Sequence, residues 1–294
     1  MSQGFAPAKI NLFLHVGPLG SDGYHPLCSW MTFADLGDRL TVERAAWPEL
    51  VVDGPFAGEL ADTAPENNLV VRAAAMLLVH ARADAGVRLS LHKVLPVASG
   101  LGGGSSDAGA ALRLVRDTLG LEVADKVLEQ IAASLGADGP ACLWARPVIA
   151  EGRGELLSPA PRAPVMDAVL VNPGVACSTG AVYRAFDAAR GGGGQGPLRP
   201  DLAEAFTDAG EVAEALAVCR NDLEEPAMGV APQIGEVLGL LRAAPETLLA
   251  RLSGSGATCF ALCADEKAAE RLAGEVAAAQ PGWWVRACRL NVPI

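Results

Sequence analysis

The sequence predicts an α+β protein that is divided into two domains, and three observations lead to this prediction. The chain has 294 residues, of which 51% are hydrophobic, so it can bury more than one core. Strand-like alternation and helical periodicity recur in both halves, without an internal repeat. A proline-rich interval at residues 159–164 separates the patterns of the first half from those of the second. We therefore predict an N-terminal domain over residues 1–155 and a C-terminal domain over residues 156–294.

The most informative stretch of the N-terminal half reads as strand, glycine turn and helix. Apolar and polar residues alternate over residues 87–92, as in a half-buried strand. Residues 96–106 then bring four glycines and end in two serines. Leucine and valine recur at helical spacing over residues 112–119, with Asp107 as the expected N-cap and Gly120 as the stop. The glycines therefore stand between a strand and a helix N-terminus.

This placement favours a phosphate-binding loop. Glycine backbone lets successive N–H groups converge on an anion, and a helix N-terminus adds partial positive charge. A flexible linker is the alternative, but linkers rarely join a strand directly to a capped helix. A Walker loop is excluded because the chain contains no Gly-Lys pair. The only formal GxGxxG match, at residues 191–196, has no strand before it, and we interpret it as a mobile loop.

Composition argues against several other classes of protein. The chain has no run of about 18 apolar residues and no basic start followed by an apolar segment. We therefore predict a cytoplasmic protein without a membrane span or signal peptide. The seven cysteines form no CxxC pair and the four histidines are scattered, so we expect buried, reduced thiols and no zinc site.

The charge of the chain argues against a nucleic-acid surface. Its formal net charge is −11, and lysines and arginines form no cluster. An acidic protein that binds phosphate has to place its few cations locally. Lys9 and Lys93 are two of only four lysines, and Lys93 lies shortly before the glycine loop. Both lysines are therefore candidate site residues.

The remaining elements follow from the same periodicities. In the N-terminal half we expect strands at 9–16, 38–42, 50–52, 141–144 and 148–151 and helices at 69–85 and 123–135. In the C-terminal half we expect strands at 169–171, 248–252, 258–263 and 283–290 and helices from 178, within 201–243 and at 265–279. We expect Asn67 and Asn68 to cap the helix at 69–85 and Gly86 to close it. Lys9 and Asn11 share one face of the first strand.

One carboxylate stands in a predicted tight turn at residues 136–140. This residue is Asp138, and an Asp in such a place is most often only a turn former. Likewise, a lysine such as Lys9 at the start of a strand is most often solvated at the surface. A catalytic interpretation of either residue therefore depends on the surrounding motifs.

Three separated stretches together resemble the signature motifs of one family, the GHMP small-molecule kinases. These stretches are residues 6–12 with the Asp-Gly-Tyr-His sequence at 22–25, residues 96–107, and residues 252–257. Shorter matches extend the resemblance over nearly the whole chain, at 68–72, 136–138 and 151–155. The resemblance implies a two-domain GHMP kinase fold. Its N-terminal domain is like domain 2 of ribosomal protein S5, its C-terminal domain is ferredoxin-like, and the site lies in the cleft between them.

The resemblance also implies an activity. The Asp-Gly-Tyr-His sequence is typical of a member that uses ATP to phosphorylate the 2-hydroxyl of a polyol linked to cytidine diphosphate, in the non-mevalonate route to isoprenoids. The implied cofactors are ATP and Mg²⁺. The implied partner is a small molecule with a cytidine diphosphate group, with no nucleic acid and no membrane. Monomer and homodimer both stay open.

Site residues are carried over from the family motifs. Lys9 and Asp138 are the implied catalytic pair, in which Asp138 accepts or orients the proton of the attacking hydroxyl and Lys9 lowers the pKa of that hydroxyl. The implied ATP-binding residues are Asn68, Lys93, Pro96, Val97, Ala98, Ser99, Gly100, Leu101, Gly102, Gly103, Gly104, Ser105 and Ser106. Ser105 or Ser106 also lies near Mg²⁺. The implied substrate-binding residues are Asn11, Tyr24, His25 and Tyr183. The two tyrosine rings are expected to sandwich the cytosine, and His25 to hydrogen-bond its edge.

Three residues depart from the family pattern without removing a functional group. They are Ser99, Gly109 and Gly139. Gly139 gives the backbone additional freedom beside the proposed base, and Gly109 weakens its helix unless close packing uses the space.

Two other functions compete with this interpretation. The first is another GHMP kinase, acting on mevalonate, homoserine or a sugar, but such acceptors do not need the stacking groups of the Asp-Gly-Tyr-His sequence. The second is a non-catalytic module that binds ATP or RNA. The acidity of the chain argues against RNA, and the retention of both Lys9 and Asp138 argues against a mere sensor.

Overall fold

A computed structural model describes residues 1–190 and 196–293 of the chain. The strands are β1 Ser2–Val16, β2 Leu27–Ala45, β3 Glu49–Asp53, β4 Gly86–His92, β5 Val148–Gly152, β6 Leu156–Pro159, β7 Met166–Asn172, β8 Thr247–Leu252, β9 Cys259–Cys263 and β10 Trp284–Leu290. The α-helices are α1 Leu69–Ala81, α2 Gly103–Leu119, α3 Asp125–Leu135, α4 Gly139–Trp144, α5 Thr179–Arg190, α6 Ala209–Ala217, α7 Glu224–Val230, α8 Gln233–Ala243 and α9 Glu266–Ala279.

The N-terminal sheet is organised around the long strand β2. This strand pairs antiparallel with β1 along most of its length, with β4 over residues 39–45 and with β5 over residues 27–31. Strand β3 adds to β4 in parallel, and β6 adds to β5. Apolar side chains of α1, α2 and α3 bury a core against β2 and β4, including Leu77, Leu112 and Leu128. The core thus fixes the strand and helix that flank the glycine loop.

The C-terminal sheet is antiparallel and has the strand order β10-β7-β9-β8. Helix α5 and the segment with α6–α8 lie between β7 and β8 in the chain, and α9 lies between β9 and β10. This βαββαβ order is the ferredoxin-like arrangement. The two sheets meet where Leu290 of β10 pairs with Ala34 of β2. The predicted α+β class and the ferredoxin-like arrangement of the C-terminal part are therefore confirmed, whereas the boundary at residue 155 stays a prediction.

The start of α2 and the end of α1 correct two predictions. Helix α2 begins at Gly103, after Gly102 with a left-handed φ of 62°, so Asp107 lies inside the helix and is not its N-cap. Helix α1 ends at Ala81 with Arg82 in the left-handed conformation, and Gly86 opens β4 instead of closing the helix. Asp107 is instead bound by Lys93, and Gly86 pairs with Ala45 of β2, so tertiary contacts decide both places.

Three further elements differ from the sequence prediction. The expected strand at 141–144 is helix α4, because a short apolar run fits a buried helix as well as a strand. The strand at 38–42 is the end of the 19-residue β2, and β6 was missed because its side chains are mostly exposed. The formal GxGxxG match begins in residues 191–195, which lie outside the described residues.

Two glycines hold α4 against its neighbours. A Cβ at Gly139 would lie 2.0 Å from the carbonyl oxygen of Ala132 in α3, and one at Gly109 would lie 2.8 Å from that of Cys142 in α4. No side chain fits at such distances. Both glycines therefore serve close helix packing, which fixes the turn that carries Asp138.

The cysteines agree with the composition. All seven are buried and free, which confirms the expectation of buried thiols. None of the helices in the described part of the chain has the length and apolar character needed to cross a bilayer.

Candidate active site

A cavity of about 860 Å³ lies between the glycine loop, strand β1 and helix α5. Its wall contains both implied catalytic residues, all four implied substrate-binding residues and most of the implied ATP-binding residues. Leu101 and Ser106 are the exceptions, because both are buried behind the wall. The fold therefore brings residues from distant parts of the chain to one cavity of a size typical for small-molecule sites.

Lys9 and Asp138 are in direct contact on the wall of this cavity. The Lys9 Nζ lies 3.0 Å from the Asp138 Oδ2. Lys9 is almost completely buried in β1, whereas the Asp138 side chain at the N-terminus of α4 is 30% exposed. The carboxylate is thus the member of the pair that an acceptor molecule can reach, as a proton acceptor requires.

A chain of buried hydrogen bonds holds the Lys9 ammonium in place. Lys9 Nζ donates to Asn11 Oδ1 at 2.6 Å, Asn11 Nδ2 donates to Ser29 Oγ at 2.7 Å, and Ser29 Oγ donates to the carbonyl of Phe13 at 2.6 Å. The backbone N–H of Lys9 donates to the carbonyl of Leu101 in the glycine loop at 2.8 Å. This network fixes the ammonium relative to both the carboxylate and the loop.

The glycine loop presents unpaired backbone donors to the cavity. Within the described residues, nothing accepts a hydrogen bond from the N–H groups of Gly103, Gly104 or Ser105, which form the first turn of α2. These three residues line the cavity, and α2 is 17 residues long, so its dipole adds to their positive potential. The loop therefore has the features of an anion site that suits phosphate groups.

A second glycine turn, at residues 253–257, supports the first. Ser253 Oγ donates to the carbonyl of Gly100 at 3.0 Å, and the N–H of Thr258 donates to the carbonyl of Ser99 at 3.0 Å. A Cβ at Gly100, whose φ is +80°, would lie 2.3 Å from the carbonyl oxygen of Ser253. Only glycine permits this approach, by which the C-terminal domain shapes the loop of the N-terminal domain.

Lys93 belongs to a buried cluster with two carboxylates. Its Nζ lies 2.5 Å from Asp38 Oδ2 and 2.8 Å from Asp107 Oδ2, and all three side chains are almost completely buried. Asp38 Oδ1 accepts from the N–H groups of Val94 and Leu95. The cluster therefore ties the entry of the glycine loop to helix α2 at its exit. Sequence reasoning found Lys93 but missed Asp38, which no motif marks, and mistook Asp107 for a cap.

The cluster shifts the ionisation of its members. Burial raises the pKa of Asp107 to about 7, since the attraction of Lys93 offsets burial only in part and Asp38 adds a second negative charge. Burial alone would lower the pKa of Lys93, but the two carboxylates outweigh it and raise that pKa. Two acids thus share one buried ammonium.

We expect the substitution Asp107→Asn to change how stability depends on pH. The pKa of Asp107 rises on folding from 3.8 to about 7, so the wild type loses stability as the pH rises through that interval. Asparagine avoids this loss. Urea unfolding should therefore show that the variant gains stability relative to the wild type between pH 5 and pH 8, because most of the interval from 3.8 to about 7 lies above pH 5. A difference between the two proteins that is the same at both pH values would contradict the assigned shift.

The far end of the cavity carries the aromatic side chains. The His25 ring lies over the Tyr183 ring, with centroids 4.9 Å apart, and His25 Nδ1 lies 3.0 Å from the carbonyl oxygen of Gly17. Burial raises the pKa of Tyr183 to about 12, so its hydroxyl stays protonated. Tyr24 is 54% exposed. The cytosine sandwich between the two tyrosines stays a prediction.

Several residues of this wall were missed from the sequence. They are Arg153, Arg184, Asp187 and Ser255. Asp187 Oδ1 lies 3.4 Å from His25 Nε2, and the Ser255 Oγ lies 2.8 Å from the Thr179 Oγ1. Arg153 and Ser255 lie within stretches that resemble family motifs, which was the available signal. For Asp187 the only signal was its helical spacing from Tyr183.

Two serines bear on the fit of Mg²⁺. Ser105 lines the cavity, and the Oγ of Ser106 is buried without a hydrogen-bond partner among the described residues. No group of three or more His, Cys, Asp or Glu side chains in the described part of the chain is arranged to hold a metal. Mg²⁺ usually takes few protein ligands and several phosphate oxygens and waters, so a single serine beside a phosphate loop fits this ion.

Comparisons with known proteins give the same family. The profile for the GHMP kinases N terminal domain matches residues 68–146, and that for the GHMP kinases C terminal matches residues 199–282. A protein of Caulobacter vibrioides (strain NA1000 / CB15N), named 4-diphosphocytidyl-2-C-methyl-D-erythritol kinase, is 55% identical over 98% of this chain and 99% of its own. A protein of the same name from Hyphomonas neptunium (strain ATCC 15444) is 47% identical over 98% of this chain and 96% of its own.

Solved structures extend the comparison to the fold. A crystal structure of 4-(cytidine 5'-diphospho)-2C-methyl-D-erythritol kinase matches with a TM-score of 0.79 and 34% identity, over 99% of this chain and 100% of that one. The homoserine kinase of Cytophaga hutchinsonii ATCC 33406 matches with a TM-score of 0.68 and 20% identity, over 97% and 93% of the two chains. The second match concerns the fold alone.

Proposed function

Because this chain belongs to the GHMP kinase family, we propose that it transfers the γ-phosphoryl group of ATP to the 2-hydroxyl of 4-diphosphocytidyl-2-C-methyl-D-erythritol. This reaction is a step of the non-mevalonate route to isoprenoid precursors. The relative from Caulobacter vibrioides bears the name of this activity and matches 98% of the chain. The observation that carries the proposal is the contact of Lys9 with Asp138 in a cavity that joins the glycine loop to the aromatic wall.

The Lys9–Asp138 pair fits the demands of phosphoryl transfer. Such a reaction asks the protein mainly to position two partners and to offset charge. The exposed carboxylate of Asp138 accepts or orients the proton of the acceptor hydroxyl. The Lys9 ammonium, whose Nζ lies 3.0 Å from Asp138 Oδ2, is proposed to stabilise the negative charge that develops on the acceptor oxygen. Asn11 keeps the ammonium in place through its own hydrogen bond.

The glycine loop is proposed to bind the phosphates of ATP. The unpaired N–H groups at the start of α2 suit an anionic ligand. The adjacent wall of the cavity, with Asn68 and Lys93, is proposed to bind the nucleoside. Asn68 also caps α1, because its Oδ1 accepts from the N–H of Val70 at 2.9 Å. Ser105 is the proposed protein ligand of Mg²⁺, with Ser106 behind it. When bound, this ion neutralises charge on the phosphates.

The aromatic wall is proposed to bind the cytidine end of the acceptor. Tyr24 and Tyr183 offer ring faces for stacking, and His25 offers a ring nitrogen for the edge of the base. A mevalonate, homoserine or sugar kinase has no need of such a wall, and no observation favours a non-catalytic module. We further propose a cytoplasmic enzyme that uses Mg²⁺ and binds neither nucleic acid nor membrane.

The position of the new phosphate tests this proposal. The methyl group on carbon 2 leaves that carbon without hydrogen, so a phosphate on the 2-hydroxyl shows no three-bond coupling to a proton in ³¹P NMR spectra. We expect one new uncoupled phosphomonoester signal, with the two diphosphate signals retained. A coupled signal would place the phosphate on another hydroxyl, and the absence of any new signal would reject the activity.

A further inference from the structure

The turn between β5 and β6 brings Arg153 to the aromatic wall of the cavity. The Arg153 guanidinium lies over the Tyr24 ring, with its Cζ 4.2 Å from the ring centroid. Its Nη2 and Nε both donate to Asp22 Oδ2, at 2.8 Å and 3.1 Å. We propose that Arg153 is a positioning residue, which holds the Tyr24 ring as a fixed wall for the nucleobase. This inference rests on the proposed function, since it concerns the same acceptor.

The three side chains form a closed set of contacts. Asp22 binds the Arg153 guanidinium through Oδ2 and accepts from the backbone N–H of Tyr24 through Oδ1, at 3.1 Å. The guanidinium in turn covers one face of the Tyr24 ring. Without these contacts a tyrosine that is 54% exposed in a loop would rotate about its side-chain torsions. The other face of the ring stays available to a flat base.

The backbone of the turn links this end of the cavity to the catalytic pair. Gly154 has a φ of +123°, and a Cβ there would lie 2.9 Å from the carbonyl oxygen of Ala137, the residue before Asp138. The N–H of Arg153 donates to Glu155 Oε2 at 2.6 Å, which fixes the turn itself. Arg153 is therefore anchored to the segment that carries the proposed base. A base stacked on Tyr24 would consequently be placed at a set distance from Asp138.

The expected effect concerns the affinity for the acceptor. Stacking of a guanidinium on an exposed aromatic ring is a modest interaction, so its loss should raise the KM for the acceptor about three- to tenfold. The kcat and the KM for ATP should change less than about twofold, because Arg153 contacts neither the loop nor Asp138. Lysine keeps the charge but lacks the planar fork, so Arg153→Lys should give an intermediate KM.

The test compares Arg153→Met with a matched control and with a second substitution. Arg199 makes a similar exposed ion pair, with its Nη1 3.1 Å from Oε2 of Glu151 in β5, but it lies outside the cavity. Arg199→Met should therefore leave all kinetic constants unchanged. In a Tyr24→Leu background, Arg153→Met should add less than about a 1.5-fold change, because Arg153 acts through the ring.

Two results would overturn the inference while leaving the proposed function intact. One is an unchanged KM for the acceptor in Arg153→Met, measured beside an active wild type. The other is a double variant, Tyr24→Leu with Arg153→Met, in which the two increases in the KM for the acceptor multiply. That result would mean that Arg153 contacts the acceptor directly. A wild type that does not turn over the cytidine-linked acceptor would instead reject the proposed function, and this inference with it.

Discussion

The substitution Lys9→Met is expected to lower kcat about 10³-fold while ATP still binds. Lys9 is buried and contacts Asp138 at 3.0 Å, so methionine fills a similar volume but removes the charge that favours the ionised acceptor hydroxyl. The glycine loop keeps its free N–H groups, so the dissociation constant of ATP should stay within about threefold. Steady-state kinetics and calorimetric titration with ATP measure the two quantities.

Three further variants sharpen this prediction. Lys126→Met removes an exposed lysine on α3 and should behave as the wild type. Asp138→Asn should lose as much rate as Lys9→Met, and the double variant should lose little more, because paired groups act as a unit. Turnover of Lys9→Met within threefold of the wild type would remove the role assigned to this lysine.

The largest expected effect on stability comes from Lys93→Met. This change leaves the carboxylates of Asp38 and Asp107 buried without their shared ammonium, and breaking such a cluster costs about 3–5 kcal/mol of the free energy of unfolding. Asp38 also binds the N–H groups of Val94 and Leu95, so the entry of the glycine loop should loosen and ATP affinity should fall as well. Urea unfolding at pH 8 measures the stability.

A further variant tests whether the stability lost in Lys93→Met comes from the unpaired carboxylates. A triple variant that adds Asp38→Asn and Asp107→Asn to Lys93→Met removes both charges, yet keeps an amide oxygen that can accept from the two N–H groups. It should recover most of the lost stability. Lys267→Met, at an exposed position of α9, should cost less than about 0.5 kcal/mol. A failure of the triple variant to recover would show that the cost arises from packing instead.

The strand, glycine turn and helix around residues 87–119 could be predicted because each signal is local. Alternation identifies β4, glycines identify the turn, and helical spacing identifies α2. The start of α2 could not be predicted, because Asp107 after two serines has the composition of a cap. In the fold its carboxylate is bound by Lys93, and the left-handed Gly102 stands at the N-cap position instead.

The composition of the candidate site was predicted more fully than its contacts. The motifs named Lys9 and Asp138, but their contact at 3.0 Å depends on the packing of α4 against α2 and α3. Asp38 lies 55 residues before Lys93 in the chain, within a strand that no motif marks. Partners of this kind are set by tertiary structure, and a single sequence carries no local signal for them.

The measurement that tests the central claim most directly is ADP release with Mg²⁺-ATP and a panel of acceptors. The panel contains the cytidine-diphosphate methylerythritol, mevalonate, homoserine, galactose and no acceptor. We expect turnover only with the cytidine-linked compound, since it alone offers a base to the wall of Tyr24, His25 and Tyr183. Turnover with another alcohol in its place would contradict the assigned substrate, and ADP release with none of the acceptors would contradict the assignment as a kinase.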